Sequence, residues 1–351
     1  MGSIADPGLR DAPELVQSVL DDYGALTRNA LERYLPGSGN RPYLDDLLCD
    51  YPRRGGKMMR SSLCIATARA FGARIQDVLP SAVAIELLHN AMLIHDDIED
   101  GSDERRGQPA LHRKHGLPLA LNAGDSLSLL SLKPLRENVG LLGPQLAMRI
   151  FDETERMAWE SAEGQALELG WRHDNRMDVT DDDYLTMILK KTCWLATIHP
   201  CRVGALIGTR GEADLDALFR FGFFLGAAFQ ITDDVLNLEG DHRYGKEIDG
   251  DLWEGKRTLM VVHALARGTE AERIAVKDML AVPRERRTAE QVSWLRALIE
   301  RTGALDYARD TARGLAGAAL HEYQTLFEAL PPSRDREFVR GMVTWVLART
   351  H

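Results

Sequence analysis

Three aspartates, Asp96, Asp97 and Asp100, crowd the end of an apolar run in the stretch HNAMLIHDDIEDGSDERRGQ. On a helix, Asp96 and Asp100 stand one turn apart on one face, with Asp97 beside them. Carboxylates placed this way repel each other, and the negative end of the helix dipole sharpens the conflict. A divalent cation would relieve it, and oxygen-only ligands suit Mg²⁺ shared with a phosphate better than zinc. Taken alone, the pattern describes a solvated acidic helix end equally well. A second run, FQITDDVLNLEGD, repeats the design with Asp233, Asp234 and Asn237, and Asp241 lies a turn further on. Two such ends suggest two rims of one cavity, because facing acid clusters without a cation would repel strongly.

Basic residues answer the acids. Lys57 and Arg60 lie in RRGGKMMR, and Arg105 and Arg106 follow the first cluster. Lys191 and Thr192 lie in LKKTCW, while Lys246 and Lys256 lie in YGKEIDGDLWEGKRTL after the second cluster. Any one of them reads as a solvated surface charge. With two acid clusters they describe a cavity for two diphosphates, one held through Mg²⁺ and one directly on Lys and Arg.

The elements that must position these groups are helices. Apolar residues recur at helical spacing along nearly the whole chain, and strand-like alternation is scarce. This predicts one all-α domain over residues 1–351, a bundle of roughly ten to twelve helices, with residues 1–12 disordered. The segments that end in the acid clusters are apolar on nearly all sides, which marks central helices buried by their neighbours. TDDDYLTMILKKTCWLATIHPCRVGALIG reads as one continuous helix opened by an acidic cap turn. The net charge of −10 argues against nucleic acid as the main partner. No uninterrupted apolar run is long enough to span a bilayer, and the N-terminus lacks the pattern of a secretory signal. Cys49, Cys64, Cys193 and Cys201 show no CxxC spacing and read as reduced core thiols. A soluble, cytoplasmic protein is expected.

The order and spacing of these motifs resemble the trans-isoprenyl diphosphate synthases, or polyprenyl synthetases. The resemblance rests on GGKMMR, LLHNAMLIHDDIEDGSDERRGQPALH, EGQALEL, KKT, FQITDDVLN and GKEIDGDLWEGKRTL, which run in that order between Leu44 and Ala264. The wording of LHNAMLIHDDIED is most similar to the geranylgeranyl diphosphate synthases. Three positions depart from the family pattern. Ser61 and Ser62 stand where proline is usual, which should loosen that helix start; Asn237 ends the second cluster; Met260 replaces a common proline.

The resemblance implies an isoprenoid synthase-like bundle around a central cavity, a homodimer, and head-to-tail condensation of isopentenyl diphosphate with an allylic diphosphate. It implies about three Mg²⁺ ions per site, held by Asp96, Asp100 and Asp233 with Asp97, Asp234 and Asn237 in support. Arg105, Lys191, Thr192, Gln230, Lys246 and Lys256 would contact the allylic diphosphate. Lys57, Arg60, His89 and Arg106 would hold isopentenyl diphosphate, although His89 on an apolar helix also reads as a core histidine. Loss of pyrophosphate would leave an allylic cation, the isopentenyl double bond would attack it, and the pyrophosphate would take the departing proton. A class I terpene cyclase also uses DDxxD, and a regulatory prenyl synthase subunit is a non-enzymatic reading. The cyclase leaves Lys57, Arg60 and Arg106 idle, and regulatory subunits usually lose an acid cluster.

A tail anchored at Asp96 would run back along its helix, gaining roughly one 5.4 Å turn per isoprene unit. Farnesyl-forming members carry a bulky aromatic at the first turn it passes. Here Ala91 leaves a gap and Met92 can move aside, while Leu88, a turn deeper, is bulkier and Glu86 suits hydrocarbon poorly. The expected product is geranylgeranyl diphosphate, with farnesyl or a longer chain as alternatives, and an Ala91→Phe variant is expected to shorten it.

Overall fold

The helical spacing of the apolar residues becomes helix almost throughout the computed structural model, which describes residues 12–37, 39–239 and 248–349. The first four helices are α1 (Ala12–Leu31), α2 (Asp45–Arg53), α3 (Met59–Ala70) and α4 (Ile75–Asp100). A two-residue hairpin follows, β1 (Glu104–Arg105) against β2 (Gln108–Pro109). Next come α5 (Leu111–His115), α6 (Leu117–Leu130), α7 (Leu132–Leu142), α8 (Pro144–His173) and α9 (Asp181–Ile188). A π-helical stretch, Leu189–Ile198, leads into α10 (His199–Gly208), and α11 (Leu215–Glu239) carries the second acid cluster. The chain ends in α12 (Gly250–Glu254), α13 (Leu259–Arg267), α14 (Glu270–Ala281), α15 (Ala289–Arg301), α16 (Ala304–Phe327) and α17 (Arg334–Ala348).

The helices outnumber the ten to twelve expected, for local reasons. Gly116 and Gly143 adopt φ of +84° and +86°, and a proline follows each within the first two positions of α6 and α8. That pairing stops one helix and starts the next. The segment from Asp181 to Gly208, read as a single α-helix, changes to π geometry at Leu189, where Lys191 and Thr192 lie. The wider turn inserts an extra residue into the helix, a distortion common at functional sites.

α4 and α11 form the interior. Val83, Leu87 and Ala91 of α4 are fully buried in a cluster with Ala120, Ala123 and Leu127 of α6. Leu88 lies instead in a cluster with Met157, Trp171, Trp194 and Ile231, with Met92 packed against it. Each buried leucine or valine contributes roughly 1.5–3 kcal/mol relative to exposure. α4 and α11 are also apolar and long enough to qualify by composition as membrane spans, but 72% and 50% of those windows is buried inside the protein. They are core helices of this bundle. Glycine permits the closest packing: a Cβ at Gly164 of α8 would overlap the Lys191 backbone, and one at Gly226 would strike Thr197 and Cys193.

Apart from Ala12, where α1 begins, the tail assigned to disorder lies outside the described residues, as do Asp241 and Lys246.

Candidate active site

Gly101 ends α4 at φ +65°, where its N–H bonds Ile98 O and the Ser102 N–H reaches back to Asp97 O at 2.9 Å. The chain reverses at Arg106 and Gly107, whose φ values of 55° and 71° give the double left-handed turn of a tight hairpin. That turn separates the two arginines. Arg105 folds back onto the acid cluster, bonding Asp97 with Nε at 2.9 Å and lying 3.4 Å from Asp96. Arg106 crosses to the carbonyls of Gly55 and Tyr51.

The three acids of α4 therefore do different things. Asp97 turns away from the open space; it is fully buried and accepts from the Tyr51 hydroxyl and Arg105. These bonds anchor Arg105 beside Asp96 at the end of α4. Asp96 keeps a quarter of its side chain exposed and pairs with Lys191 at 3.3 Å. Asp100 is buried between Lys256 at 2.9 Å and Arg172 at 2.5 Å. Burial works against its charge, yet Lys256 leads the cations that hold its pKa below the usual carboxylate range.

The second cluster divides in the same way. Asp234 is buried and accepts from the Tyr184 hydroxyl at 2.7 Å and from Gln230 Nε2 at 2.6 Å. Burial, with Asp251 nearby, pushes its pKa up to about 8. Asp234 thus fixes Gln230, which in turn accepts from the Thr192 hydroxyl at 2.9 Å. Thr192, Gln230 and Asp234 thereby form one hydrogen-bonded chain. Asp233 pairs with Arg349 at 3.0 Å, next to Lys57 and Arg60. Asn237 accepts from the Asp251 N–H at 3.0 Å through its side chain and from the Asp249 N–H at 2.9 Å through its carbonyl. It ties the segment bearing Lys256 to the end of α11.

Between the helix ends lies a cavity of about 630 Å³, lined by Asp96 and Asp100 from α4, Arg105, Asn237 from α11, and Asp251, Glu254, Lys256 and Arg284. Lys256 lies within 2.6 Å of Glu254, 2.9 Å of Asp100 and 3.5 Å of Asp251. Burial opposes its charge, but these carboxylates raise its pKa. Lys191 is likewise buried and held charged by Glu168 at 2.7 Å and by Asp96. The repulsion expected to demand a metal is therefore answered by the protein's own cations. Among the described residues no three His, Cys, Asp or Glu side chains converge into a preformed metal cage. The donor set still fits Mg²⁺: it is all oxygen, open on one side, and a phosphate entering the cavity would supply the missing ligands.

A separate basic group lies beside it. Lys57, in a loop where Gly55 and Gly56 adopt φ of +84° and +133°, stands 5.3 Å from the Trp345 ring. Burial, followed by Arg349, lowers its pKa. Burial also brings Arg60 down to about 10, and its Nε is buried without a hydrogen-bond partner. His89 is pushed well below its usual range by burial first and then by Arg60 and Arg106, so the imidazole stays neutral. Ser61 does not loosen the start of α3. Its N–H and hydroxyl both bond Glu86 Oε1, at 3.2 and 2.8 Å.

The residues assigned to chain length divide. Leu88 and Met92 share the cluster next to the π-helical stretch, whereas Ala91 faces α6. Ala91 sits about 140° around the helix from Asp96, so a tail running along the Asp96 face does not meet it. Glu86, offered as a polar floor, bonds Ser61 instead.

Sequence reading missed Tyr51, Glu168, Arg172, Tyr184, Arg284 and Arg349, and it named Glu86 only as a poor neighbour for hydrocarbon. Glu168 lay in the quoted EGQALEL and Tyr184 in the quoted TDDDYLTMILKKTCW segment; the others sit where sequence carries no local signal.

Residues 41–299 match the polyprenyl synthetase family model. A short chain isoprenyl diphosphate synthase of Methanothermobacter thermautotrophicus is 36% identical over 298 residues, covering 85% of this chain and 87% of that one. A geranylgeranyl diphosphate synthase of Methanosarcina mazei is 35% identical over 300 residues, with the same coverage of 85% and 87%. The crystal structure of a Caulobacter crescentus polyprenyl synthase complexed with calcium and isoprenyl diphosphate superposes with a TM-score of 0.84. It is 27% identical and covers 96% of this chain and 98% of its own.

Proposed function

This chain belongs to the polyprenyl synthetase family, and from that premise we propose that it makes geranylgeranyl diphosphate from isopentenyl diphosphate and an allylic primer. It is a trans-prenyltransferase. The observation that carries the reading is two charged groups: a cavity lined by Asp96, Asp100 and Asn237, and a separate basic group of Lys57, Arg60 and Arg106. A cyclase would leave the second group without work.

The proposal gives each group a substrate. Asp96, Asp100 and Asp233, with Asn237 in support, would hold Mg²⁺, about three ions in the full complex. When bound, the metal supplies Lewis-acid neutralisation of the allylic diphosphate. Lys191 and Lys256 leave their carboxylate partners for the pyrophosphate oxygens and stabilise the charge that builds as the C–O bond breaks. Arg105 is fixed by Asp97 and contributes from the hairpin side; Thr192 and Gln230, bonded to each other, add polar contacts to the same diphosphate; Lys246, which lies outside the described residues, completes the set. Lys57, Arg60 and Arg106 hold isopentenyl diphosphate so that its double bond faces the allylic carbon, with neutral His89 as a hydrogen-bond partner. Attack by the terminal alkene carbon leaves a tertiary cation, and the neighbouring carbon on the diphosphate side loses its proton to the pyrophosphate, so no protein base is required.

The reading extends to one catalytic domain acting in a cytoplasmic homodimer. What supports a second copy is an apolar face on α6 to α8, where Leu129 is 68% and Trp159 72% exposed, flanked by Leu121, Val139, Met148 and Phe151. Solvated aromatic and aliphatic groups at this density mark a contact surface.

Purified protein with Mg²⁺, labelled isopentenyl diphosphate and geranyl or farnesyl diphosphate tests the reading, with chromatography of dephosphorylated products as readout. A twenty-carbon alcohol is the expected result, and a cyclic hydrocarbon or no product would overturn it. On this reading Met92 is a second position for a length-changing substitution. Ala91→Phe should overpack the α4–α6 seam and cost about 1–3 kcal/mol of stability. Met92→Phe, on the face of Asp96, should shorten the product to fifteen carbons. Unchanged twenty-carbon product from Met92→Phe would mean that the tail takes another route.

Arg349 competes for Asp233, since their 3.0 Å pair occupies a carboxylate assigned to metal. Its guanidinium also lies 4.0 Å from the Phe229 ring centre and bonds Phe229 O at 3.2 Å. Arg349→Ala should lower the Mg²⁺ concentration that half-saturates turnover by about two- to fivefold, the range expected for a partly exposed ion pair. A magnesium titration reads this directly, and an increase would show that Arg349 assists the loaded site instead.

A further inference from the structure

Three cationic side chains and a neutral histidine share the isopentenyl face, and like charges at that spacing should drive each other apart. Arg60 is weakened first by burial, and Arg106 lowers it further; Arg106 in turn feels burial and Arg105. Beneath them lies one buried acid that no part of the reaction uses. Glu86 is 3% exposed, on the turn of α4 that precedes His89. It is the leading carboxylate acting on both Arg60 and Arg106.

The acid is held by α3. Ser61 is the third residue of that helix, where the backbone N–H has no intrahelical acceptor. Glu86 Oε1 takes that N–H at 3.2 Å and the Ser61 hydroxyl at 2.8 Å. The hydroxyl also lies 3.0 Å from Met58 O, at the αL residue that precedes α3. One carboxylate thus caps the helix that carries Arg60 and offsets the guanidiniums from below. Arg60 Nε, buried and without a hydrogen-bond partner, is a donor that the protein itself leaves unsatisfied.

We propose that Glu86, clamped by Ser61, is a positioning residue for isopentenyl diphosphate, setting Arg60 and Arg106 so that both meet the same diphosphate. The proposal rests on the assignment of that face to isopentenyl diphosphate. Glu86 does not touch substrate; it acts through the arginines. A buried counter-charge under a cationic pocket keeps the pocket assembled when empty, and it stays in place when the dianionic or trianionic ligand arrives.

Three variants of the full chain separate the possibilities, each measured for KM of both substrates, kcat and thermal unfolding. Glu86→Gln keeps the shape and an oxygen for Ser61 but removes the charge. It should raise KM for isopentenyl diphosphate about tenfold, with KM for the allylic substrate and kcat nearly unchanged. Ser61→Ala keeps the charge and loses one bond, and should raise the same KM roughly threefold. Arg60→Ala tests the underlying assignment. If Arg60→Ala leaves KM for isopentenyl diphosphate unchanged, the site itself is misassigned. If Arg60→Ala raises it while Glu86→Gln does not, or Glu86→Gln weakens both substrates alike with a lower melting temperature, the positioning role is overturned.

Discussion

Alanine at Asp96 or at Asp233 is expected to remove condensation almost completely while leaving the fold intact. Each variant deletes a carboxylate that faces open space, so the loss falls on the bound metal and the ionising diphosphate. Lewis-acid stabilisation of this kind is worth several kcal/mol, which corresponds to a rate loss on the order of 10³-fold. Stability should barely move. Asp96 and Asp233 keep about a quarter of their side chains exposed, and their partners Lys191, Arg105 and Arg349 retain other contacts. Partly exposed pairs of this sort contribute about 1 kcal/mol or less. Asp100→Ala makes the contrast. It strips the partly buried Lys256 and Arg172 of a shared partner, though Lys256 keeps Glu254 and Asp251, and should cost about 1.5–3 kcal/mol of stability as well as activity. Thermal unfolding and single-turnover assays on the three variants check both halves. Near-normal turnover in Asp96→Ala or Asp233→Ala would remove the metal assignment.

The sequence showed where the charges are but not which way they point. Helix ends, the acid clusters and the basic segments were legible because each is a local pattern with a period or a spacing. The division of DDxxD into Asp96 and Asp100 at the cavity, and Asp97 on Tyr51 and Arg105, was not legible. It depends on a tyrosine forty-six positions earlier in the chain. The same holds for Asp234, whose neighbour Tyr184 arrives from another helix. The break into π geometry at Leu189 keeps helical periodicity on either side, so an apolar pattern cannot reveal it. The close approach of α8 to the Lys191 backbone at Gly164 is likewise visible only in three dimensions. Ser61 looked like the loss of a proline and proved to be a gain of two hydrogen bonds, because its acceptor lies on α4. Ala91 stands about 140° around α4 from Asp96, an angle that counting residues back along the chain does not display.

Lys256→Ala is expected to damage turnover severely, and to do so through kcat. Among the described residues Lys256 is the one cation within 3.5 Å of three carboxylates, those of Asp100, Asp251 and Glu254. Glu254 shows how closely they are balanced, since burial pushes its pKa up to about 7 even with Lys256 beside it. Without the ammonium, three acids share a buried wall of the cavity with only Arg172 and Arg284 to offset them. An incoming allylic diphosphate then meets a negative surface and loses a donor at the bond that must break. Loss of one oxyanion-type donor lowers kcat by about 10²–10³-fold, and Lys191→Ala should fall in the same range. Lys57→Ala should behave differently. Its ammonium stands over the Trp345 ring on the other face, so its removal should raise KM for isopentenyl diphosphate with a smaller change in kcat. Steady-state kinetics with each substrate varied in turn distinguish the two patterns. If Lys57→Ala and Lys256→Ala gave the same signature, the two faces would not serve separate diphosphates. Guanidinium or ammonium added back to Lys256→Ala sharpens the result: partial rescue of kcat shows that the lost charge, and not a collapsed wall, limits the reaction.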